Sequence, residues 1–222
     1  MVLYLDLISP PCRAVFLFAK ALGIPFEFKY VDLIAGNLTT LQEFRGLKCP
    51  ACFFICTYLV QKHSGSVADH WFPAGLQQRA RANEYLSWQH ANHRGHCQKV
   101  FLLRVRVPVR PIPEVTMDAA LENMKQSLNL LEEKFLQNKQ FILGDKISVA
   151  DVSMFRPLGT GVDGFEGRPK LIAWRGRVKE ALGEELFDDA HTALMQLSGL
   201  PEKLKSSGEF EKFELRFQRF FN

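Results

Sequence analysis

The stretch Val2-Leu-Tyr-Leu-Asp-Leu-Ile-Ser-Pro-Pro-Cys-Arg-Ala-Val15 decides how this chain folds. Its first part, Val2 to Ile8, is an apolar run broken by Asp6. It is too short for a buried helix and is closed by Ser9-Pro10-Pro11, so it reads as a buried strand. The second part predicts a helix. Ser9 has the right side chain for an N-cap, the prolines fall where the first turn has N–H groups to lose, and Val15, Phe18 and Leu22 recur at helical spacing before Gly23.

Outward from this stretch, Ile24-Pro25 leads into Phe26, Phe28 and Tyr30 alternating with Glu27 and Lys29, the pattern of a second strand. Strand, helix and strand within about 30 residues form a βαβ unit with parallel strands. Leu33 to Lys48 is weakly patterned, and the apolar segment Phe53 to Val60 predicts a helix. Ser, Gly, His and Pro interrupt the pattern from Ser64 to Gly75, which marks a boundary. The expected organisation is therefore an α/β unit over residues 1–66 followed by an all-helical unit over 76–222. In the second, Leu121, Met124, Leu128, Leu131 and Phe135 keep one helical face, Leu186, Ala190, Leu194 and Leu197 another, and Pro169 to Leu182 is a helix stopped by Gly183. Ile147-Ser-Val-Ala-Asp151 has the form of a capping box with a hydrophobic staple, Ile147 on Val152.

The 222 residues are 47% apolar, enough for a substantial core. No apolar run reaches the roughly 18 residues of a membrane span, and the N-terminus does not read as a secretory leader. An odd set of five cysteines, most within apolar sequence, fits a reducing, cytoplasmic compartment. A net charge of +4 spread along the chain argues against nucleic acid and mildly favours small anionic ligands.

Two roles fit the Ser9 hydroxyl. It could cap the helix, or, at the positive end of a helix dipole, donate to an anion. Were the anion a ligand's thiolate, that hydrogen bond would lower the thiol's pKa. Ser9-Pro10-Pro11-Cys12 also stands where a thioredoxin-like domain carries Cys-x-x-Cys, with serine replacing the first cysteine. Such a protein cannot close that disulfide, but it can bind a thiol supplied from outside.

These residues carry a resemblance. Leu3 to Val15, Ile24-Pro-Phe-Glu-Phe28 with Val31-Asp-Leu-Ile34, Trp71-Phe-Pro73 and Gln78 to His90 are similar to theta-class glutathione transferases. So are Glu133 to Lys139, Ile147 to Asp151, Phe165 to Leu171 and Ala173-Trp-Arg175. The resemblance implies a thioredoxin-like N-terminal domain that binds glutathione, an all-helical domain that supplies the electrophile pocket, and a homodimer. It implies glutathione as co-substrate, small electrophiles or organic hydroperoxides as the other substrate, and no metal or redox cofactor. Ser9 matches the catalytic serine. Lys48-Cys49-Pro50 matches a Lys-Val-Pro whose cis-proline lets the preceding backbone pair with the tripeptide, and Arg94 matches an arginine of the electrophile pocket.

The chain departs from the family after Pro50. Seven residues separate Pro50 from Tyr58, where relatives carry a two-stranded hairpin and a Glu-Ser pair opening a helix, so a shortened sheet and weaker glutathione contacts are expected. The alternative reading is a catalytically weak or inactive relative that acts by binding. Leu38 stands where theta enzymes place a polar contact, and the helix after Ser148 looks about one turn short. The phenylalanines from Phe210 to Phe221 predict an amphipathic tail helix. Cys49-Pro-Ala-Cys52 is weaker as a redox pair because it does not open the first helix. Cys49, Cys52, Cys56 and His63 make an incomplete zinc set, and Arg104, Arg106 and Arg110, alternating with valines, read as a solvated edge.

Overall fold

The computed structural model describes residues 1–32, 52–153 and 164–218. β1 (Val2–Leu5) and β2 (Glu27–Tyr30) pair in parallel, Val2 opposite Glu27 and Leu5 opposite Tyr30, with α1 (Pro10–Ala21) as the crossover. The helix ends at Leu22, and Gly23 takes φ 62°, the left-handed conformation that glycine adopts without cost. One face of α1 buries Val15, Phe18 and Ala19. β1 buries Leu3 and Leu5 as its alternation requires. β2 forms where its alternation indicated, with all four residues exposed. Phe16 meets Phe26 and Phe28 edge-on at 6.0 and 5.9 Å, so α1 covers that side of the sheet only in part.

α2 (Cys52–Lys62) coincides with the expected apolar helix and packs Cys56, Leu59 and Val60 into the core. The readings made on Leu38, Lys48, Cys49, Pro50, Phe220 and Phe221 fall outside the described residues, as does the stretch 154–163. The boundary segment is no loose linker. Trp71 and Phe72 are buried, and Trp71 stands edge-on to Phe18 at 5.3 Å. Arg79 lies 3.9 Å over the Phe72 ring and donates to the Phe72 and Pro73 carbonyls, which fixes the entry to the helices.

From there the described chain is helical. α3 (Leu76–Trp88) passes through a wide, π-type turn at Gln89–His93 into α4 (Arg94–Arg106). α5 (Glu114–Leu130) does the same at Leu131–Leu136. The two wide turns meet, with Trp88 4.5 Å from Phe135 and stacked on His93. The apolar face expected on α5 is buried at Met124, Leu128, Leu131 and Phe135. α6 (Val149–Val152), α7 (Pro169–Leu182), α8 (Glu184–Met195), α9 (Leu200–Ser206) and α10 (Phe210–Phe217) complete it. One apolar core runs unbroken from Leu5, Val15 and Phe18 to Leu86, Val149 and Trp174.

The expected capping box is present and does more than cap. Ser148 Oγ accepts from Ala150 N, while fully buried Asp151 takes four hydrogen bonds, from Ile142 N, Ser148 N, Ser148 Oγ and Trp174 Nε1, at 2.7–2.9 Å. Burial raises this carboxyl's pKa, and the four donors pull it back towards the ionised form. Asp151 thereby ties α6, α7 and the Phe141–Gly144 turn together. Asp151→Ala leaves several buried donors unpaired at about 1–3 kcal/mol each, so the variant should lose at least ~3 kcal/mol. A thermal melt should show Tm lower by about 6–12 °C.

The tail forms a second, smaller core. Phe210 and Phe213 pack with Leu102, Val105, Leu197 and Leu204, and Ile8, Phe101 and Phe217 border them. The Arg104–Arg110 stretch is solvated at Arg104 and Arg110, as its alternation suggested, but Arg106 is mostly buried against the tail. It is the end of α4 and the turn after it, so Arg106 and Arg110, four apart, share a face. Arg106 Nε donates to Glu214 Oε1 at 2.7 Å and Arg110 Nη1 to Oε2. Glu214 and Arg106 are mostly buried there, at 15% and 19% exposure, so this pair outweighs an ordinary surface ion pair. Glu214→Gln should loosen α10 by about 1 kcal/mol. Hydrogen exchange should then rise over residues 210–217 while that of α5 and α7 stays unchanged.

Candidate active site

The strand-to-helix turn between β1 and α1 is built from buried charge. Asp6, within the apolar strand run, is 1% exposed, and its Oδ1 accepts from Ile8 N at 2.9 Å. Ser9 N donates to Asp6 O at 2.9 Å, and Arg13 N to Ser9 O at 3.0 Å. Arg13, 4% exposed, turns back beneath the turn. Its Nη1 donates to Leu7 O at 2.6 Å and Ile8 O at 2.9 Å. Burial pulls the Arg13 pKa below the ordinary guanidinium value, while Cys12 and Asp6 act in the opposite sense. A buried guanidinium that donates to two carbonyls and has a carboxylate nearby stays charged and fixes the backbone around Ser9.

Ser9 has N-cap backbone angles, φ −76° and ψ 119°, yet its side chain makes no cap hydrogen bond. The helix end is also a poorer anion site than its position suggested. Pro10 and Pro11 have no N–H, and the Arg13 N–H is spent on Ser9 O, which leaves at most the Cys12 N–H. What this turn presents is chiefly a half-buried hydroxyl. Ile8, beside it, packs against the second apolar core, so the tail and α4 form an apolar wall next to Ser9.

Arg94 opens α4, half-buried, with Nη1 3.3 Å from His90 Nδ1. Burial and then Arg94 hold the His90 pKa below the ordinary imidazole value. Arg94 is seven residues before Phe101 on the same helix, hence on the same face and about 10 Å along the axis. Phe101 borders the wall that includes Ile8. The structure thus puts Arg94 on the helix that flanks the Ser9 turn. Among the described residues no group of three metal-ligating side chains could hold an ion. Cys56 is buried and Cys12 half-buried, neither in a disulfide.

Sequence reading singled out Ser9 but passed over Asp6 and Arg13, which position it. The signal was there: a carboxylate inside an apolar strand and an arginine directly ahead of the apolar Ala14–Ala19 run are costly unless each meets a partner. Glu214 was unreadable, because its partners lie more than 100 residues away.

Three comparisons bear on this arrangement. The sequence model described as "Glutathione S-transferase, C-terminal domain" matches residues 95–180. Human glutathione S-transferase theta-1 is 42% identical over 219 residues, covering 90% of each chain, and mouse theta-3 is 38% identical, covering 92% of this chain and 96% of its own. The apo structure of human glutathione-S-transferase T1-1 superposes with a TM-score of 0.81 at 39% identity, covering 92% of this chain and 96% of that one. A human theta-class enzyme in complex with the glutathione conjugate of 1-menaphthyl sulfate superposes at 0.85 with 34% identity, covering 99% and 98%. A strand–turn–helix that ends in an unspent serine hydroxyl, set against a helical body and matched at this identity along nine-tenths of its length, belongs to the glutathione S-transferase family, in its theta class.

Proposed function

We propose that Ser9 is the catalytic hydroxyl of this glutathione S-transferase. It donates a hydrogen bond to the sulfur of bound glutathione and so favours the thiolate, as hydrogen bonding to a charged form does. The thiol proton leaves to solvent. The thiolate's electron pair forms a C–S bond to the electrophile while the leaving group departs with its own pair. With an organic hydroperoxide, the thiolate sulfur bonds to the terminal oxygen as the O–O bond breaks, giving glutathione sulfenic acid and an alkoxide that solvent protonates to the alcohol; a second glutathione thiol then forms the S–S bond as the sulfenic hydroxyl leaves as water. The single observation that carries this reading is the hydroxyl held at the N-cap position without a cap hydrogen bond.

Lys48 and the Cys49 backbone ahead of Pro50 are proposed to hold the tripeptide, and Arg94 to face the electrophile. The apolar wall of Ile8, Phe101 and Phe217 suits an aromatic substrate body, in keeping with the menaphthyl conjugate bound by the human relative. The division into a glutathione-binding unit (1–66) and an electrophile-binding unit (76–222), a homodimer, a cytoplasmic setting and a detoxifying role complete the reading. Among the described residues no helix is long and apolar enough to cross a membrane.

A second reading is favoured by one observation: α2 begins at Cys52, so the chain between Pro50 and this helix has no room for a hairpin and a Glu-Ser pair. A relative lacking these contacts would bind glutathione weakly and act by association. Titration calorimetry with glutathione separates the two, since absence of heat at millimolar ligand removes the enzyme reading.

If Ser9 tunes the thiol, Ser9→Ala should lower the conjugation rate with an aryl halide by about 10²-fold at neutral pH. Activity rises with pH as thiolate forms, so the rise should move about two units higher in the variant, and Ser9→Thr should retain much of the wild-type profile. An unchanged rate and profile would defeat the assignment.

A further inference from the structure

β2 lies at the edge of the sheet. Among the described residues the sheet has two strands, in the order β1-β2, and no described strand pairs with the outer side of β2. Glu27 N donates to Met1 O at 2.8 Å and Val31 N to Leu5 O at 3.2 Å. The odd-numbered residues therefore turn their backbone groups towards β1, and Phe26, Phe28 and Tyr30 turn theirs outward, because the direction alternates along a strand. Such outward N–H and C=O groups are a template for another strand. The side chains around them are open as well. Phe28 is 41% exposed and Tyr30 62%, while the Glu27 and Lys29 side chains are 63% and 46% exposed.

The side chains alternate too. Phe26 and Phe28 stand against Phe16, so they and Tyr30 share the face that α1 covers in part, and Glu27 and Lys29 share the opposite face. Read in either direction, Phe26 to Tyr30 runs aromatic, charged, aromatic, charged, aromatic, with the signs of the charges exchanged on inversion. An antiparallel copy related by a two-fold axis at Phe28 performs that inversion. It sets the two Phe28 residues opposite each other, Phe26 opposite Tyr30, and Glu27 opposite Lys29 twice. The aromatic pairs are then the hydrogen-bonded ones. Glu27 and Lys29 meet at the non-hydrogen-bonded sites, where Cα atoms are about 4.5 Å apart and side chains come closest. A parallel copy in register would instead oppose like charges. A short edge strand carrying a lysine ordinarily resists pairing, but here that lysine meets a carboxylate in the antiparallel arrangement. Within its own chain Lys29 has only distant partners, Glu27 at 3.8 Å and the Tyr4 ring at 5.5 Å.

We propose that β2 is a docking edge for a second copy of this chain, joined antiparallel about Phe28 into a continuous β1-β2-β2-β1 sheet. The contact is isologous, with the same patch used by both copies. It needs no element of the helical body, and it is independent of the homodimer proposed above. Backbone hydrogen bonds supply the attraction, and the Glu27–Lys29 pairs fix orientation and register. Two short strands bury much less than a standard interface, so the association is weak, with a dissociation constant of roughly 10–100 µM.

Sedimentation velocity of the intact chain, from about 5 to about 500 µM, spans the range that a weak interface requires. The average mass of the wild type should rise with concentration. Lys29→Glu alone, or Glu27→Lys alone, opposes like charges at both cross-strand sites and should weaken association about tenfold or more. The double swap Glu27→Lys/Lys29→Glu, and an equimolar mixture of the two single variants, return opposite charges to every site and should recover it. Circular dichroism and Tm should match throughout, because the altered side chains are exposed. Raising salt from about 50 to about 300 mM should narrow the gap between wild type and single variants. Association that the single swaps leave unchanged, or that the double swap and the mixture fail to recover, would overturn the docking edge. So would a mass that stays constant with concentration and is the same in every variant: one chain would show a monomer, and two chains the homodimer alone.

Discussion

The buried Arg13 guanidinium, clasping the Leu7 and Ile8 carbonyls from below with Asp6 nearby, is the constraint on which the site rests. A chain leaving a strand for a helix has many ways to turn. Here two buried charges and five hydrogen bonds leave one, and it puts Ser9 at the mouth of the turn with its hydroxyl making no cap hydrogen bond. Burying an arginine is costly unless its donors are met, so the same interaction that positions Ser9 also penalises any rearrangement that would release it.

The helical body supports that turn from behind. Asp151, loaded with four hydrogen bonds, locks α6 to α7 and lines the small crevice against Pro10, Arg13 and Leu17 of α1. On the other side, α4 and the tail close over Ile8, and Glu214 is held by two arginines of the α4 end. The geometry around Ser9 is thus a property of the two apolar cores that meet at this turn rather than of the small sheet, which among the described residues has two strands.

How much of this was legible depended on the range of the interactions. Local signals served well: Ser9-Pro-Pro and Gly23 bounded α1, the Ser148–Asp151 box announced itself, and Pro169 with Gly183 bracketed α7. Pattern alone reached only part of the answer where two periods competed. The Arg-Val alternation from Arg104 to Arg110 lies on a helix and its turn, because tertiary contacts with the tail reward the fourfold spacing of Arg106 and Arg110. Ser9 was readable as a candidate but not as an uncapped one, since whether a hydroxyl turns towards its own helix depends on packing around it. The prolines that marked the helix start also remove most of its free N–H groups, so in the role proposed for Ser9 the burden of anion stabilisation falls on the hydroxyl rather than on the helix terminus.

That burden is directly measurable. Ultraviolet titration of the thiolate absorbance of glutathione bound to the wild-type protein should give a pKa well below the roughly 8.5 of an unperturbed thiol, near neutrality. A bound thiol that ionises no more readily than free glutathione would contradict the account at its centre.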